Sequence, residues 1–205
     1  YALEYSLNTK HKLEGGLSYT YHIFKPGAAQ FANNDYSLDS IISLSNIIYA
    51  NDFYTYLQDD WTITNRLRVN YGVHYSYYFT SDTNYKSLQP RISARYLLKD
   101  DWSVKVSYAE MTQYIHLLSN SGVGLPTDLW VSSTAKVKPQ LSKQIAIGTS
   151  KNIKGNRYEI STEIYYKTMQ NLIEYKEGSS FITPTDWQET VETDGQGEAY
   201  GIELL

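Results

Sequence analysis

Strict two-residue alternation between positions 67 and 79 constrains the fold of this chain more than any other feature. Because successive side chains of a β-strand point to opposite faces, the pattern predicts a strand with one apolar face and one mostly polar face. About thirteen residues is long for a strand of a soluble domain, but it suits a tilted strand that crosses a bilayer. The apolar face carries every odd position, namely Leu67, Val69, Tyr71, Val73, Tyr75, Tyr77 and Phe79.

The same alternation recurs along the chain and predicts about nine strands. Their connections run to about 4, 23, 4, 7, 3, 28, 6 and 20 residues, so short and long connections alternate. Short turns at one end and long loops at the other are typical of outer-membrane barrels. We therefore predict an all-β fold, an antiparallel up-and-down transmembrane β-barrel of which residues 1–205 form a part. The longest predicted strand, residues 157–176, loses its alternation from Met169 onward, which predicts a β-bulge there.

Composition excludes several other classes of protein. The net charge of −4 argues against a sequence-independent nucleic-acid binder, which needs a basic surface. No apolar run approaches the roughly 20 residues of a membrane-spanning helix. The absence of cysteine excludes disulfides and thiolate chemistry. The 21 tyrosines and four tryptophans fit the aromatic girdles of a membrane barrel.

Charged positions within the predicted strands separate a barrel from a soluble all-β domain with long insertions, which is the alternative explanation of the pattern. On the lipid face near the bilayer midplane, each arginine or lysine would cost about 2–4 kcal/mol. Five charged residues instead fall on the polar face, which in a barrel lines the lumen: Arg68, Arg91, Arg95, Lys105 and Glu163.

Both ends of the chain lie inside alternating segments, YALEYSLN at the start and AYGIELL at the end. A finished barrel leaves no unpaired strand edge in the membrane. We therefore expect residues 1–205 to be an internal part of one larger barrel domain, with both barrel ends outside this sequence.

Several segments resemble a known family in serial order. The segment YLQDDWTITNRLRVNYGVHYSYY resembles a hairpin of TonB-dependent outer-membrane receptors, and LQPRISARYLLKDDWSVKVSYAEMTQ resembles the hairpin that follows it. The segments KPQLSKQIAIGTSKNI, YEISTEIYYKTMQNLIEY and AYGIELL resemble the next three strands. Loops that contain proline and glutamine resemble those of receptors from Bacteroidetes-type bacteria. His74 departs from the family pattern, in which an arginine is usual, so one lumen cation is lost.

This resemblance implies a barrel of about 22 strands in the bacterial outer membrane, plugged by an N-terminal domain that lies outside this sequence. It implies a receptor that takes up a scarce nutrient of the siderophore, haem, cobalamin, glycan or peptide class. Energy would come from the TonB complex, which would act through the plug. The expected partners are therefore outer-membrane lipid, the plug in cis, the TonB complex and an unidentified ligand, with no nucleic acid. The five charged lumen residues are expected to contact the plug, with a lining of the solute path as the alternative.

Loops and aromatic residues supply the other candidate sites. Loops on a rigid scaffold carry specificity, so the loops at residues 25–47 and 112–139 are expected to contact the ligand. In the second loop the candidates are Tyr114, Leu129 and Trp130. The expected girdle aromatics at the membrane interfaces are Trp61, Trp102, Tyr75 and Tyr77.

No residue pattern predicts an enzyme, a metal site or a cofactor. The four histidines are scattered over different elements, and a haem ligand at His22 or His116 is weighed against ordinary polar histidines, which we prefer. Asp59-Asp60 and Asp100-Asp101 adjoin Trp61 and Trp102 and are expected to be a solvated rim rather than catalytic pairs. A passive porin-like channel and a soluble extracellular binding domain remain the rival functions.

Overall fold

The computed structural model describes residues 1–25, 47–119, 129–154, 157–177 and 187–205. Nine strands form one antiparallel sheet in the order β1-β2-β3-β4-β5-β6-β9-β10-β11, and β7 and β8 form a separate hairpin. Within these ranges no helix is long and apolar enough to cross a membrane. The strands are β1 Ala2–Ser6, β2 His11–Phe24, β3 Ile48–Thr62, β4 Leu67–Thr80, β5 Asn84–Lys99, β6 Trp102–Gln113, β7 Ile115–Leu118, β8 Leu129–Ser132, β9 Gln140–Ile153, β10 Tyr158–Tyr175 and β11 Val191–Leu204.

The up-and-down meander predicted from the alternation is confirmed. Every strand of the large sheet pairs with its neighbour in sequence, except that β6 pairs with β9 across the inserted hairpin. From β2 to β11 these strands contain between 12 and 18 residues. The predicted bulge is also confirmed, because the pairing of β10 with β11 shifts register on both sides of Leu172. Asn171 has a φ of 57°, the left-handed conformation that asparagine tolerates.

Three connections differ from the prediction. The turn between β4 and β5 is confined to residues 81–83, because β5 already begins at Asn84. The segment at residues 112–139 is not a plain loop, since it contains the β7–β8 hairpin. Strand β11 begins at Val191, so the third long connection is shorter than expected. The loop predicted at residues 25–47 lies almost wholly outside the described residues.

The apolar face of the large sheet is open over the described residues. Val106, Ile147 and Ile164 lie side by side in one row across β6, β9 and β10, and each is 41–56% exposed. A face pressed against a protein core would bury these side chains. An exposed apolar face of this size is expected where the surrounding solvent is lipid.

Charged residues mark both limits of this apolar face on β9. Lys143 and Lys151 point to the same face as Ile147 and lie eight positions apart, or about 26 Å along the strand. With a barrel strand tilt of about 35–45°, that length spans about 19–21 Å of membrane. Lysine stems can add to this span, because they lie along apolar surface while the ammonium reaches water. The apolar band therefore has nearly the height of about 25 Å seen in outer-membrane barrels.

The buried clusters lie on the polar face, at the end of the sheet with the long connections. One contains Phe24, Ala50, Tyr78 and Tyr114. The other joins the β7–β8 hairpin to the segment before β11 through Leu118, Val131, Val137, Trp187 and Val191. The hairpin therefore folds inward over the polar face instead of standing away from the strands.

Among the glycines that the structure describes, Gly72 has the neighbouring strand's backbone closest to the place of a Cβ. A Cβ added to Gly72 on β4 would lie 2.6 Å from both Gln58 Cβ and Leu57 O on β3. We expect Gly72→Ala to lower the free energy of unfolding by about 1–3 kcal/mol, because overpacking displaces the neighbouring strand. Urea unfolding of the full-length protein in lipid measures this loss.

Gly15→Ala is the matched control for this prediction. The nearest atom to a Cβ on Gly15 is Tyr56 O, at 3.3 Å, so a smaller loss is expected. Equal losses in the two variants would show that the change of strand propensity from glycine to alanine, rather than contact between β3 and β4, sets the effect.

Candidate functional site

Four of the five charged residues predicted to face the lumen lie in one row across the polar face. The strand register pairs Arg68 with Arg95, Arg95 with Lys105, Lys105 with Gly148, and Gly148 with Glu163. Neighbouring strands are about 4.8 Å apart, so the row places three cations side by side, followed by glycine and a carboxylate. We name Arg68, Arg95, Lys105 and Glu163, together with Glu203 on β11, the charged row.

Glu203 completes the charged row and was missed by sequence reasoning. It pairs with Glu163 in the register of β10 with β11, so the row ends in two neighbouring carboxylates. Alternation alone assigns Glu203 to the polar face with Gly201, but only the register of the strands shows which residues are its neighbours. Arg91, the fifth predicted residue, lies four positions before Arg95 on β5 and borders a different space.

A cavity of about 820 Å³ lies on the polar face beside the β7–β8 hairpin. Its wall combines two cations, Arg91 and Lys167, with the carboxylate of Asp52, and the remaining lining mixes aromatic and aliphatic side chains with amides, hydroxyls and a histidine. Convergent polar groups in a concave, mostly apolar surface are typical of small-molecule sites. The lining residues are Phe24, Asp52, His74, Gln89, Arg91, Met111, Thr112, Gln113, Tyr114, Ile115, Trp130, Gln140, Leu141, Ser142, Lys167, Met169 and Leu172.

Hydroxyl groups and one aromatic stack fasten the hairpin to the wall beside this cavity. The rings of Tyr78 and Tyr114 are stacked with centroids 4.7 Å apart. The Tyr78 hydroxyl and Ser132 Oγ lie 2.6 Å apart, and the Tyr114 hydroxyl lies 2.7 Å from Ser76 Oγ. The Tyr85 hydroxyl donates to the carbonyl oxygen of Thr134 at 2.6 Å. The position of the hairpin is therefore set by several contacts that depend on tyrosine.

The three residues predicted to contact a ligand have different surroundings. Tyr114 is buried and its hydroxyl is already paired, so it holds the hairpin as well as bordering the cavity. Leu129 packs against the buried cluster around Trp187. Trp130 is 57% exposed and lines the cavity, which makes it the strongest of the three as an aromatic contact for a ligand.

His116 is a buried titratable group in the hairpin. Its side chain is fully buried, with Nε2 2.9 Å from Ser133 Oγ and no hydrogen-bond partner for Nδ1. Burial lowers the pKa of His116 from 6.5 to about 4, and no charged neighbour contributes to that shift. The docked hairpin therefore holds this imidazole neutral, and its burial closes it off from a ligand in the lumen.

Docking of the hairpin is expected to weaken in acid. Because the pKa of His116 is lowered only in the docked state, the undocked state binds more protons as the pH falls through 6.5, and the free energy of docking decreases. This loss is complete below a pH of about 4. At pH 5.5 the loss relative to neutral pH is about 1 kcal/mol. Hydrogen exchange of the β7 and β8 amides, corrected for intrinsic rates, measures it in the full-length protein.

His116→Gln is the control, because glutamine does not titrate in this range. Protection of the hairpin in this variant should be independent of pH between 7.5 and 5.5. If the wild-type pH dependence persists in His116→Gln, another group is responsible.

All four predicted girdle aromatics lie on the apolar face. Trp61 and Trp102 are near the short turns, and Tyr75 and Tyr77 are nearer the opposite end. Trp61 is stacked on the ring of His11, and Lys151 Nζ lies 5.6 Å from the ring of Trp102. Their role as girdles at the two interfaces of a membrane wall stays a prediction.

The prediction that Asp59 belongs to a solvated rim is wrong. Its side chain is 5% exposed and lies on the apolar face, paired in register with Tyr71. Asp59 Oδ2 is 2.6 Å from His11 Nδ1 and accepts a hydrogen bond from the Tyr71 hydroxyl at 3.0 Å. These partners keep a carboxylate out of lipid contact. The sequence signal for this placement was spacing, because Asp59 lies two positions from both Leu57 and Trp61 and so shares their apolar face.

In the part of the chain that the structure describes, no three histidine, aspartate or glutamate side chains lie in an arrangement that could hold an ion.

One protein-family model matches the whole chain. The model is described as TonB dependent receptor-like, beta-barrel, and it covers residues 1–205. No curated protein sequence matches the chain with significance.

Solved structures of the same architecture match at low sequence identity. The FrpB iron transporter of Neisseria meningitidis (F3-3 variant) has a TM-score of 0.67 and 14% identity, with 99% of this chain and 31% of that chain covered. The ferric-catecholate import receptor Fiu of E. coli K12 has a TM-score of 0.65 and 16% identity, with 99% and 34% covered. The pyoverdine receptor FpvA of Pseudomonas aeruginosa, bound to pyoverdine, has a TM-score of 0.62 and 16% identity, with 99% and 31% covered. The chain thus spans about a third of the length of each of these proteins.

Proposed function

Because this chain belongs to the TonB-dependent receptor β-barrel family, we propose that it forms part of the wall of a receptor for active uptake of a scarce nutrient. The chain lies in the bacterial outer membrane, with its apolar face toward lipid and its polar face toward the lumen. The receptor binds its ligand at the long-loop end and moves it inward with energy delivered by the TonB complex. A plug domain in cis fills the lumen and contacts the charged row.

The observation that carries the ligand site is the cavity beside the β7–β8 hairpin. It lies at the long-loop end of the lumen face and has an exposed aromatic side chain, Trp130, next to two cations, Arg91 and Lys167. Neither cation has an ion-pair partner among the described residues. Two cations and one carboxylate leave a net positive site, which favours anionic members of the expected ligand classes.

Energy-dependent uptake separates this function from that of a passive channel. Cells that express the full-length protein take up an anionic ferric catecholate or ferric pyoverdine as the probe, with a neutral oligosaccharide for comparison. A protonophore or loss of the TonB complex is expected to abolish accumulation against a gradient. Uptake that continues under both conditions would support the porin-like alternative and contradict the proposal.

Binding by charge-neutral variants then tests the cavity itself. Arg91→Gln with Lys167→Gln is expected to weaken binding of the anionic probe at least tenfold, which corresponds to about 1.4 kcal/mol. Lys99→Gln with Lys151→Gln makes the same change of charge at the short-turn end and should leave affinity unchanged. If both pairs of substitutions have equal effects, the cavity is not the ligand site.

A further inference from the structure

A cleft of about 670 Å³ lies at the short-turn end of the sheet, between the turn that precedes β2 and the turn that joins β3 to β4. We name it the turn cleft. Its lining contains two cations, Lys10 and Arg66, and no carboxylate among the described residues. The lining residues are Thr9, Lys10, Thr62, Ile63, Thr64, Asn65 and Arg66. Positive charge next to hydroxyl and amide donors is the chemistry that binds an anion.

Hydrogen bonds within the two turns fix the backbone from which both cations extend. Asn8 Oδ1 accepts a hydrogen bond from Lys10 N at 2.7 Å, and Lys10 O accepts one from Thr62 N at 2.7 Å. Thr64 Oγ1 accepts a hydrogen bond from Arg66 N at 3.2 Å, which leaves the proton of this hydroxyl to donate outward. The turns that carry Lys10 and Arg66 are two strand spacings apart, or about 10 Å, so both long side chains can reach one phosphate between them.

Other charged side chains at this corner of the sheet already have partners of opposite charge. The pairs are His11 with Asp59 at 2.6 Å, Lys12 with Glu4 at 3.0 Å and Arg68 with Asp60 at 3.8 Å. Lys10 and Arg66, in contrast, make no ion pair among the described residues. Because each of these three carboxylates is committed to another cation, the turn cleft keeps two positive charges that the wall does not compensate.

Distance along β3 places the turn cleft at the level of lipid headgroups. Trp61, a predicted girdle residue, is stacked on His11 with ring centroids 5.3 Å apart, and Thr62 follows it directly. At a tilt of about 40° each strand residue advances about 2.5 Å along the membrane normal, so residues 62–64 extend about 3–8 Å beyond Trp61. The headgroup layer on each side of the hydrocarbon core is about 5–8 Å thick. Lipid phosphates of the leaflet that borders the short turns therefore lie at this depth.

We propose that the turn cleft binds the phosphate of a phospholipid with net negative charge, in the leaflet that borders the short turns. Lys10 and Arg66 hold the phosphate oxygens from two sides, and the Thr64 hydroxyl donates a further hydrogen bond. Phosphatidylcholine brings a cation of its own with its phosphate, so an anionic headgroup such as that of phosphatidylglycerol is favoured. This inference depends on the position of the wall in the outer membrane and not on uptake of a nutrient.

Photocrosslinking to the full-length protein tests the turn cleft. Phosphatidylglycerol with a photoreactive headgroup, present at low mole fraction in phosphatidylcholine bilayers, should crosslink to the peptides that contain residues 9–10 and 62–66. In Lys10→Gln with Arg66→Gln, we expect the yield at these peptides to fall at least tenfold. Heat-dependent migration on gels confirms that the barrel of the variant is folded. An unchanged yield in this variant would overturn the proposal.

Lys12→Gln with Lys99→Gln is the matched control, because it removes the same charge from the short-turn end. Lys12 has Glu4 as its partner, and Lys99 precedes two aspartates in its turn. Crosslinking at the turn cleft should therefore match wild type in this control. An equal fall in both double variants would show that the general charge of the surface, and not the cleft, attracts the lipid.

Two further measurements test the chemistry of the site. Lys10→Arg with Arg66→Lys keeps both charges and should retain the wild-type yield, whereas a loss as large as that of the glutamine variant would contradict a site built on charge. Unlabelled phosphatidylglycerol should suppress crosslinking, and millimolar inorganic phosphate should leave it unchanged. If inorganic phosphate suppresses crosslinking as well as the lipid does, the turn cleft is a site for the free anion and the lipid assignment is overturned.

Discussion

Replacing Tyr78 with alanine is expected to release the β7–β8 hairpin from the lumen wall, at a cost of about 3–5 kcal/mol. Tyr78 is fully buried, stacks on Tyr114 and has its hydroxyl 2.6 Å from Ser132. Truncation removes the ring from the centre of the contact and leaves Ser132 without that partner. Hydrogen exchange of the β7 and β8 amides should lose at least a hundredfold of protection, whereas β3 and β4 should keep theirs.

Tyr78→Phe is the control, because it keeps the ring and removes only the hydroxyl. We expect a loss of about 1 kcal/mol, typical of one hydrogen bond. Full protection of the hairpin in Tyr78→Ala would mean that the cluster around Leu118 and Trp187 holds it without Tyr78. The same variant should also weaken binding of the anionic probe, since the hairpin carries Trp130.

Arginine in place of Ile147 is expected to lower the stability of the barrel in lipid by about 2–4 kcal/mol. Ile147 lies near the middle of the apolar band on β9, between Val106 and Ile164, and is more than half exposed. A guanidinium at this depth loses water and gains no partner on the face of the sheet. Urea unfolding in bilayers of the full-length protein measures the difference from wild type.

Ser107→Arg is the matched control for the orientation of the wall. Ser107 pairs with Ala146, so it lies at the same depth as Ile147 but on the polar face. Thr149→Arg is a second control, because it moves the charge toward the short-turn interface, where the cost falls to about 0–1 kcal/mol. If Ser107→Arg is the more damaging substitution, the lipid and lumen faces have been exchanged.

Much of the sheet was predictable because alternation is a local property of the chain. Two-residue alternation assigns Arg68, Arg95, Lys105 and Glu163 to the polar face. The loss of this alternation from Met169 onward predicts the bulge. Asp59 shows where this reasoning was applied incompletely: its parity placed it on the apolar face, but its charge suggested a rim. The partners that make this placement tolerable, His11 and Tyr71, come from two other strands.

The resemblance to TonB-dependent receptors is confirmed by the family match over the whole chain, but it did not reveal the inward hairpin. The β7 and β8 segments are short, and Ile115–Leu118 and Leu129–Ser132 pair across a connection that contains residues 120–128. A four-residue strand gives too few positions for a period to be recognised. Its stability comes from burial of His116, Leu118 and Val131 against other elements, which is a tertiary property.

The sequence by itself determined the all-β class, the two faces of each strand and the separation of short turns from most of the long connections. Each of these depends on side chains a few positions apart, and a strand reports that spacing directly. The tertiary structure decided which side chains meet across strands, since register joins residues that are far apart in sequence. The charged row, the Asp59 cluster and the cavity beside the hairpin all come from that register, because a shift of two residues would keep every face and change every neighbour.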